Sequence, residues 1–348
     1  MPMFYIHQTA CISPQHSFAD VDLSGVNPPL DNKLLVMEPA YEDIPPSSLR
    51  RMGKAVRTGI GAALPLLSKA ITDGIILATA NGGMEDCIKF LNQMVTYDEV
   101  MLTPGNFVQS TPNSIAGQLG MITTNHGYNI THVHRGLAFE NAMIDGAMLL
   151  KENPNRTYLL GGVDEISTFD HNIDTLAGWF KNDPVNSGQL YELDSPGTIA
   201  GEGASMFIVN AKPEGAGARV EDLLSLHSGD ETYMSKQLQL FLDRNILPVE
   251  QVDLLLTGEN GDNRSLKYFK SCEALLGPHT TIGRFKHMSG EYATASAFAL
   301  WLCCYILAQQ VVPEHVIKRK GSRDYIRKIL IYNNFKNVQH SLMLLSRP

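Results

Sequence analysis

Cysteine is scarce in this chain, and its few copies are scattered. Five occur in 348 residues: Cys11, Cys87, Cys272, Cys303 and Cys304. An odd, dispersed set of thiols does not make a disulfide framework, so the cysteines are expected to be reduced and the protein cytoplasmic. Positive charge is also short. The 28 Lys and Arg face 36 Asp and Glu, a net charge of −8. That balance argues against nucleic acid or an anionic membrane as the main partner, and leaves room for a local basic patch that meets a small acidic one. The opening MPMFYIHQTACISP has no basic segment leading into an apolar one, so no secretion signal is expected. No set of residues has the spacing of a metal centre, and no cofactor is expected. NGGMED, residues 81–86, lacks the lysine and spacing of a phosphate-binding loop and reads as a turn into a helix.

What the chain does have is apolar bulk. Hydrophobic residues make up 44% and charged residues 18%, which favours a large buried core over disorder. The length suits two similar halves or one large α/β unit. Residues 292–313, YATASAFALWLCCYILAQQVVP, carry no charge. The run is nearly long enough to span a bilayer, but its Thr294, Ser296, Gln309, Gln310 and many alanines fit a helix buried on all sides better, so no membrane span is expected. Short apolar runs read as buried strands at 74–80, 157–163, 204–211, 252–258, 328–334 and 341–346. Helical patterns lie at 47–70, 84–95, 137–151, 233–244, 264–276 and 291–310. This alternation implies α/β architecture with a sheet covered on both faces. THVHRGLAFENAMIDGAMLL and KHMSGEYATASAFALWLCCYIL share one form, a lead-in, a glycine and an Ala-rich helix followed by two strands. Two halves, 1–212 and 213–348, are expected, joined in the Gly- and Pro-rich AKPEGAGAR.

The motifs, taken in order, resemble the β-ketoacyl synthases of the thiolase fold, which condense acyl units on a carrier protein. TPNSIAGQLG (111–120) is similar to the helix that precedes the family's nucleophile strand. THVHRGLAFENA sits where T-A-C-x-S-G-x-x-A is found. LLGGVDE, LDSPGTIAGEGASMFIV, VDLLLTGENGD, KHMSGEYATASA and YNNFKNVQHSLML follow in the family's order. The resemblance implies an α/β fold of layered αβαβα type, built from two duplicated halves with mixed five-stranded sheets. It marks Gly136, Gly201, Glu202, Gly203 and Gly290 as structural positions.

The departures concern chemistry. The family's reaction needs a thiolate to accept the acyl chain and two histidines to support decarboxylation. Counting back from Gly136 places the nucleophile position at Val133. The histidine positions fall on Thr257 and Glu291, and of the polar site residues only Lys286 is retained. NNFKNVQH also lacks the glycine that lends a backbone N–H to the oxyanion hole. The resemblance is thus to a catalytically degenerate subunit, a chain length factor of type II polyketide or aryl-polyene pathways. Such a subunit implies an active ketosynthase as heterodimer partner and an acyl carrier protein.

Other residues invite chemistry. His132 and His134 flank Val133, with Arg135 beside them; a metal site or base competes with packing at a dimer interface, and a metal needs more ligands than this pair. Glu291 follows Gly290 at the start of the long helix and reads as a cap, with a general base paired to Lys286 as the alternative. Asn260 belongs to a polar loop with Thr257, Glu259 and Asp262. Phe107 lines a pocket near a partner or packs in the core. Condensing activity of its own is not expected. Two competing readings remain: an acyltransferase, hydrolase or decarboxylase using Glu291 and Lys286, and a non-catalytic acyl-binding homodimer.

Overall fold

The computed structural model describes residues 2–245, 248 and 251–348. Ten strands carry the architecture: β1 Phe4–Ile12, β2 Gly74–Ala78, β3 Tyr128–His132, β4 Thr157–Asp164, β5 Gly203–Asn210, β6 Ala218–His227, β7 Leu254–Thr257, β8 Thr281–Arg284, β9 Lys328–Phe335 and β10 Gln339–Ser346. The order across the sheet is β8-β7-β9-β10-β6-β1-β5-β4-β2-β3, with the short strand Ile317–Arg319 outside β8. In the run β3-β2-β4-β5-β1 the first three strands are mutually parallel and β5 is antiparallel to both its neighbours. The run β8-β7-β9-β10-β6 repeats that order and those directions. The expected five-stranded units are therefore not separate sheets, because Phe4–Ile6 pair antiparallel with Val220–Ala218 and make them one ladder.

The main helices are α1 Lys54–Leu67, α2 Met84–Thr96, α3 Pro104–Gln109, α4 Ser114–Thr123, α5 Ala138–Glu152, α6 Thr168–Leu176, α7 Glu231–Arg244, α8 Leu266–Ala274 and α9 Ala295–Gln309. The layering follows from strand alternation, which sends successive side chains to opposite faces. On β2, Ile76 and Ala78 join Phe139 and Met143 of α5 and Phe298 of α9 in the central cluster, while Ile75 and Leu77 pack outward on Val56 and Ile60 of α1. On β7, Leu254 and Leu256 face the centre and Leu255 faces Leu238 of α7 and Phe269 of α8. The layers thus run helix, sheet, helix, sheet, helix, with α5 and α9 in the middle.

The uncharged run becomes α9, buried around almost its whole circumference. No helix among the described residues is long and apolar enough to cross a membrane. The helix expected at 291–310 begins four residues late. Gly290 has φ +68°, Glu291 bridges to Ala200 in a strand-like contact, and residues 291–294 stay outside the helix. A Cβ on Gly290 would come within 2.5 Å of the Ala200 carbonyl, so only glycine tolerates both that backbone and that approach.

Candidate functional site

A cavity of about 290 Å³ opens where the C-terminal ends of β4 and β9, the turn before α5 and the loops 179–201 and 260–265 converge. Ligand sites of open α/β sheets favour such strand ends. Asp164, Glu165, Asp170, His171, Trp179, Asn260, Glu291, Tyr292, Phe335 and Arg135 are among its walls.

Glu291 lines the cavity and pairs with Lys286, which does not. Lys286 is fully buried, and its Nζ lies 2.5 Å from Glu291 Oε1. The second carboxylate oxygen accepts from Asn260 Nδ2 at 2.8 Å. Asn260 Oδ1 is itself held by the Asp262 backbone N–H and the Ser265 hydroxyl. Glu291 is therefore not a helix cap. It supplies the counter-charge that a buried ammonium requires, and a second donor fixes its orientation. Thr257 is fully buried, donates to the Gly283 carbonyl at 3.1 Å and does not line the cavity.

The turn before α5 borders the cavity. Val133 is half-exposed and lies outside the cavity walls, whereas Arg135 is one of them. Arg135 has φ +49°, a left-handed conformation that L side chains adopt rarely and that clusters at functional turns. Gly136 follows it, pressed so close to Phe335 that a Cβ there would lie 2.3 Å from the phenylalanine's own. Its backbone N–H donates to Gln339 Oε1 at 2.9 Å. His132 points away and bonds Asp145 on α5 at 2.9 Å, and Tyr128 donates to the same carboxylate. His134 is exposed. The two histidines share no site, and among the described residues no three His, Cys, Asp or Glu are placed to hold one metal ion. Phe107 is 59% exposed and packs on Phe90 rather than in the core.

Three carboxyls of the cavity were not singled out from the sequence. Asp164, at the end of β4, is buried and accepts from Thr79 Oγ1, Ala80 N, and both N and Oγ1 of Thr294. Burial raises its pKa against those four donors. Burial also pushes Glu165 up to about 7, partly opposed by the Ala55 N–H it accepts. Asp170 is raised, first by burial and then by Asp174, and accepts from Asn81. The available signal was position, since LLGGVDE ends a buried strand with two acids at its carboxyl end. Glu202 of the GEGA run lies elsewhere. It accepts from the Val36 and Ile166 N–H groups and pairs with Lys54, tying three segments together.

Residues 31–169 match the family model of the beta-ketoacyl synthase N-terminal domain. The chain has a ketosynthase-like fold. Solved structures agree in fold over its full length. A beta-ketoacyl synthase from Burkholderia phymatum STM815 shares 14% identity, with both chains fully covered and a TM-score of 0.79. The ishigamide ketosynthase/chain length factor shares 15%, with 99% of each chain covered and a TM-score of 0.74. A ketosynthase in complex with its chain length factor from Xenorhabdus doucetiae shares 13%, covering 100% of this chain and 98% of that one, with a TM-score of 0.76. No curated protein matches in sequence. Against the ketosynthase pattern, the cavity holds no thiol: all five cysteines lie outside its walls, and burial raises the Cys11, Cys272, Cys303 and Cys304 thiols. The one histidine among its described walls is His171, whose pKa burial lowers.

Proposed function

We propose that the protein is a ketosynthase-like subunit without condensing activity that pairs, in the cytoplasm, with an active ketosynthase and shapes acyl-chain elongation in a polyketide, aryl-polyene or fatty-acid type pathway. One observation carries the reading. β3 ends the sheet with an unpaired edge among the described residues; α4 packs beside it and exposes Met121 and Ile122, and α3 on α4 and α2 on α3 expose Phe107, Val108 and Val95. An open strand edge flanked by apolar side chains is a surface that proteins normally cover. It lies on the same half as the turn that carries Arg135, so a chain docked there would sit next to the cavity. The complexes among its structural relatives supply the kind of partner, and an acyl carrier protein is the expected third component.

Glu291 and Lys286 support a non-catalytic subunit over an acyltransferase, hydrolase or decarboxylase, because each is engaged by the other and Asn260 fills the remaining carboxylate oxygen. Co-expression with ketosynthases from the same genome tests the proposal. A stable heterodimer whose product length differs from that of the ketosynthase alone is expected. A tight homodimer that joins no ketosynthase overturns it in favour of the acyl-binding homodimer. Turnover of acyl thioesters by the isolated chain, lost in Glu291→Gln, overturns it in favour of an enzyme.

A further inference from the structure

We infer that the cavity is a receptor for a small monocarboxylate with an apolar body, held by the Arg135 guanidinium. This rests on the cavity being a binding site rather than a condensing centre, as proposed above.

The cations around the cavity are not equivalent. Lys286 is committed to Glu291, Lys336 to Asp174 and Arg264 to Asp262. Arg135 alone of these has no hydrogen bond or ion pair among the described residues, although it stands on the cavity wall. It is solvent-exposed at the rim, just before α5, where the helix dipole adds positive potential. A guanidinium presents a planar fork that matches a carboxylate with two parallel hydrogen bonds.

The remaining walls set the rest of the ligand. Ile166, Ile173, Phe180, Tyr292 and Phe335 offer apolar and aromatic surface. Asp164, Glu165 and Asp170 face the same space, so a dianion such as phosphate is repelled where a single negative charge on Arg135 is tolerated. A volume of about 290 Å³ is at the lower end for ligand sites, which suits a compact molecule.

Benzoate, benzamide and inorganic phosphate are the probes, titrated calorimetrically into the isolated wild-type chain and into Arg135→Gln and Arg135→Lys. Benzoate is expected to bind at least about tenfold more tightly than its neutral isostere benzamide and than phosphate. Arg135→Gln is expected to lose that preference, and Arg135→Lys to keep part of it. Circular dichroism of each variant checks the fold. Equal binding of benzoate and benzamide, undiminished benzoate binding in folded Arg135→Gln, tighter binding of phosphate, or no benzoate binding each overturns the inference. Pairing with a ketosynthase is read separately on the wild-type chain. Loss of pairing with benzoate binding intact removes the proposed function alone, and the converse removes this inference alone.

Discussion

At the scale of single residues, the contact with most at stake is Lys286 to Glu291. Both side chains are buried, and each satisfies a charge that would otherwise be stranded. Removing one partner costs more than removing both, because the survivor keeps its desolvation penalty. Glu291→Gln is expected to lose about 3–5 kcal/mol in urea unfolding. The double variant Lys286→Met, Glu291→Leu should recover most of that loss. A single-variant loss below about 1 kcal/mol would mean the pair is solvated and Glu291 free for other work. The same pair shows the limit of reading along the chain. Lys286 and Glu291 are five residues apart, and the sequence placed them together as a possibility. That Glu291 would bridge to Ala200 instead of capping α9 depends on a long-range contact that no local pattern encodes.

At the scale of elements, what was legible followed periodicity and burial. β4, β5, β9 and β10 are nearly continuous apolar strands, and α5 and α9 are Ala-rich helices; all six were visible in the sequence. β1 and β6 were not, because both are only half-buried and carry His7, Gln8, Glu221 and Asp222 among their apolar residues. The turn before α5 was legible as a turn. That Arg135, exposed and left-handed, borders the cavity while Val133 does not, follows from the backbone of the turn, which a count back from Gly136 does not give. The acids at the end of β4 were in view as a motif and became site residues only when β9 and the 260–265 loop closed over them. The exposed edge beside α4 makes its own prediction. Met121 is 72% exposed, so Met121→Lys should leave the melting temperature of the isolated chain within a few degrees. It should abolish assembly with the partner in size-exclusion chromatography with light scattering, because a lysine ammonium cannot be desolvated cheaply in an apolar interface. Assembly equal to wild type would place the interface on another face.

At the scale of the whole molecule, buried titratable groups of opposite sense set the response to pH. Burial, with the neighbouring His315 and Arg284 charges, pushes His287 down to about 3, and burial pushes His340 down to about 4. Both are neutral in the fold: His287 bonds Tyr191 and His315, and His340 bonds Tyr332 and the Ser228 carbonyl. The unfolded chain protonates them near the ordinary histidine value of about 6.5, so each removes stability as pH falls below that point. Glu165 acts in the other direction. Its pKa is raised to about 7, so the folded chain holds a proton that the unfolded chain releases above about 4.5, and stability is gained on acidification between those values. The wild-type curve between pH 7 and 5 is therefore a difference between opposing slopes, and single variants separate them. His340→Asn should make stability fall less steeply with acid than in wild type. Glu165→Gln should make it fall more steeply. Each difference should reach up to about 1.4 kcal/mol per pH unit. Urea unfolding at pH 7, 6 and 5 measures all three slopes. A slope unchanged from wild type in His340→Asn would show that this histidine titrates normally in the fold. An unchanged slope in Glu165→Gln would show that the cavity wall is wet enough to keep its carboxyl ionised at neutral pH.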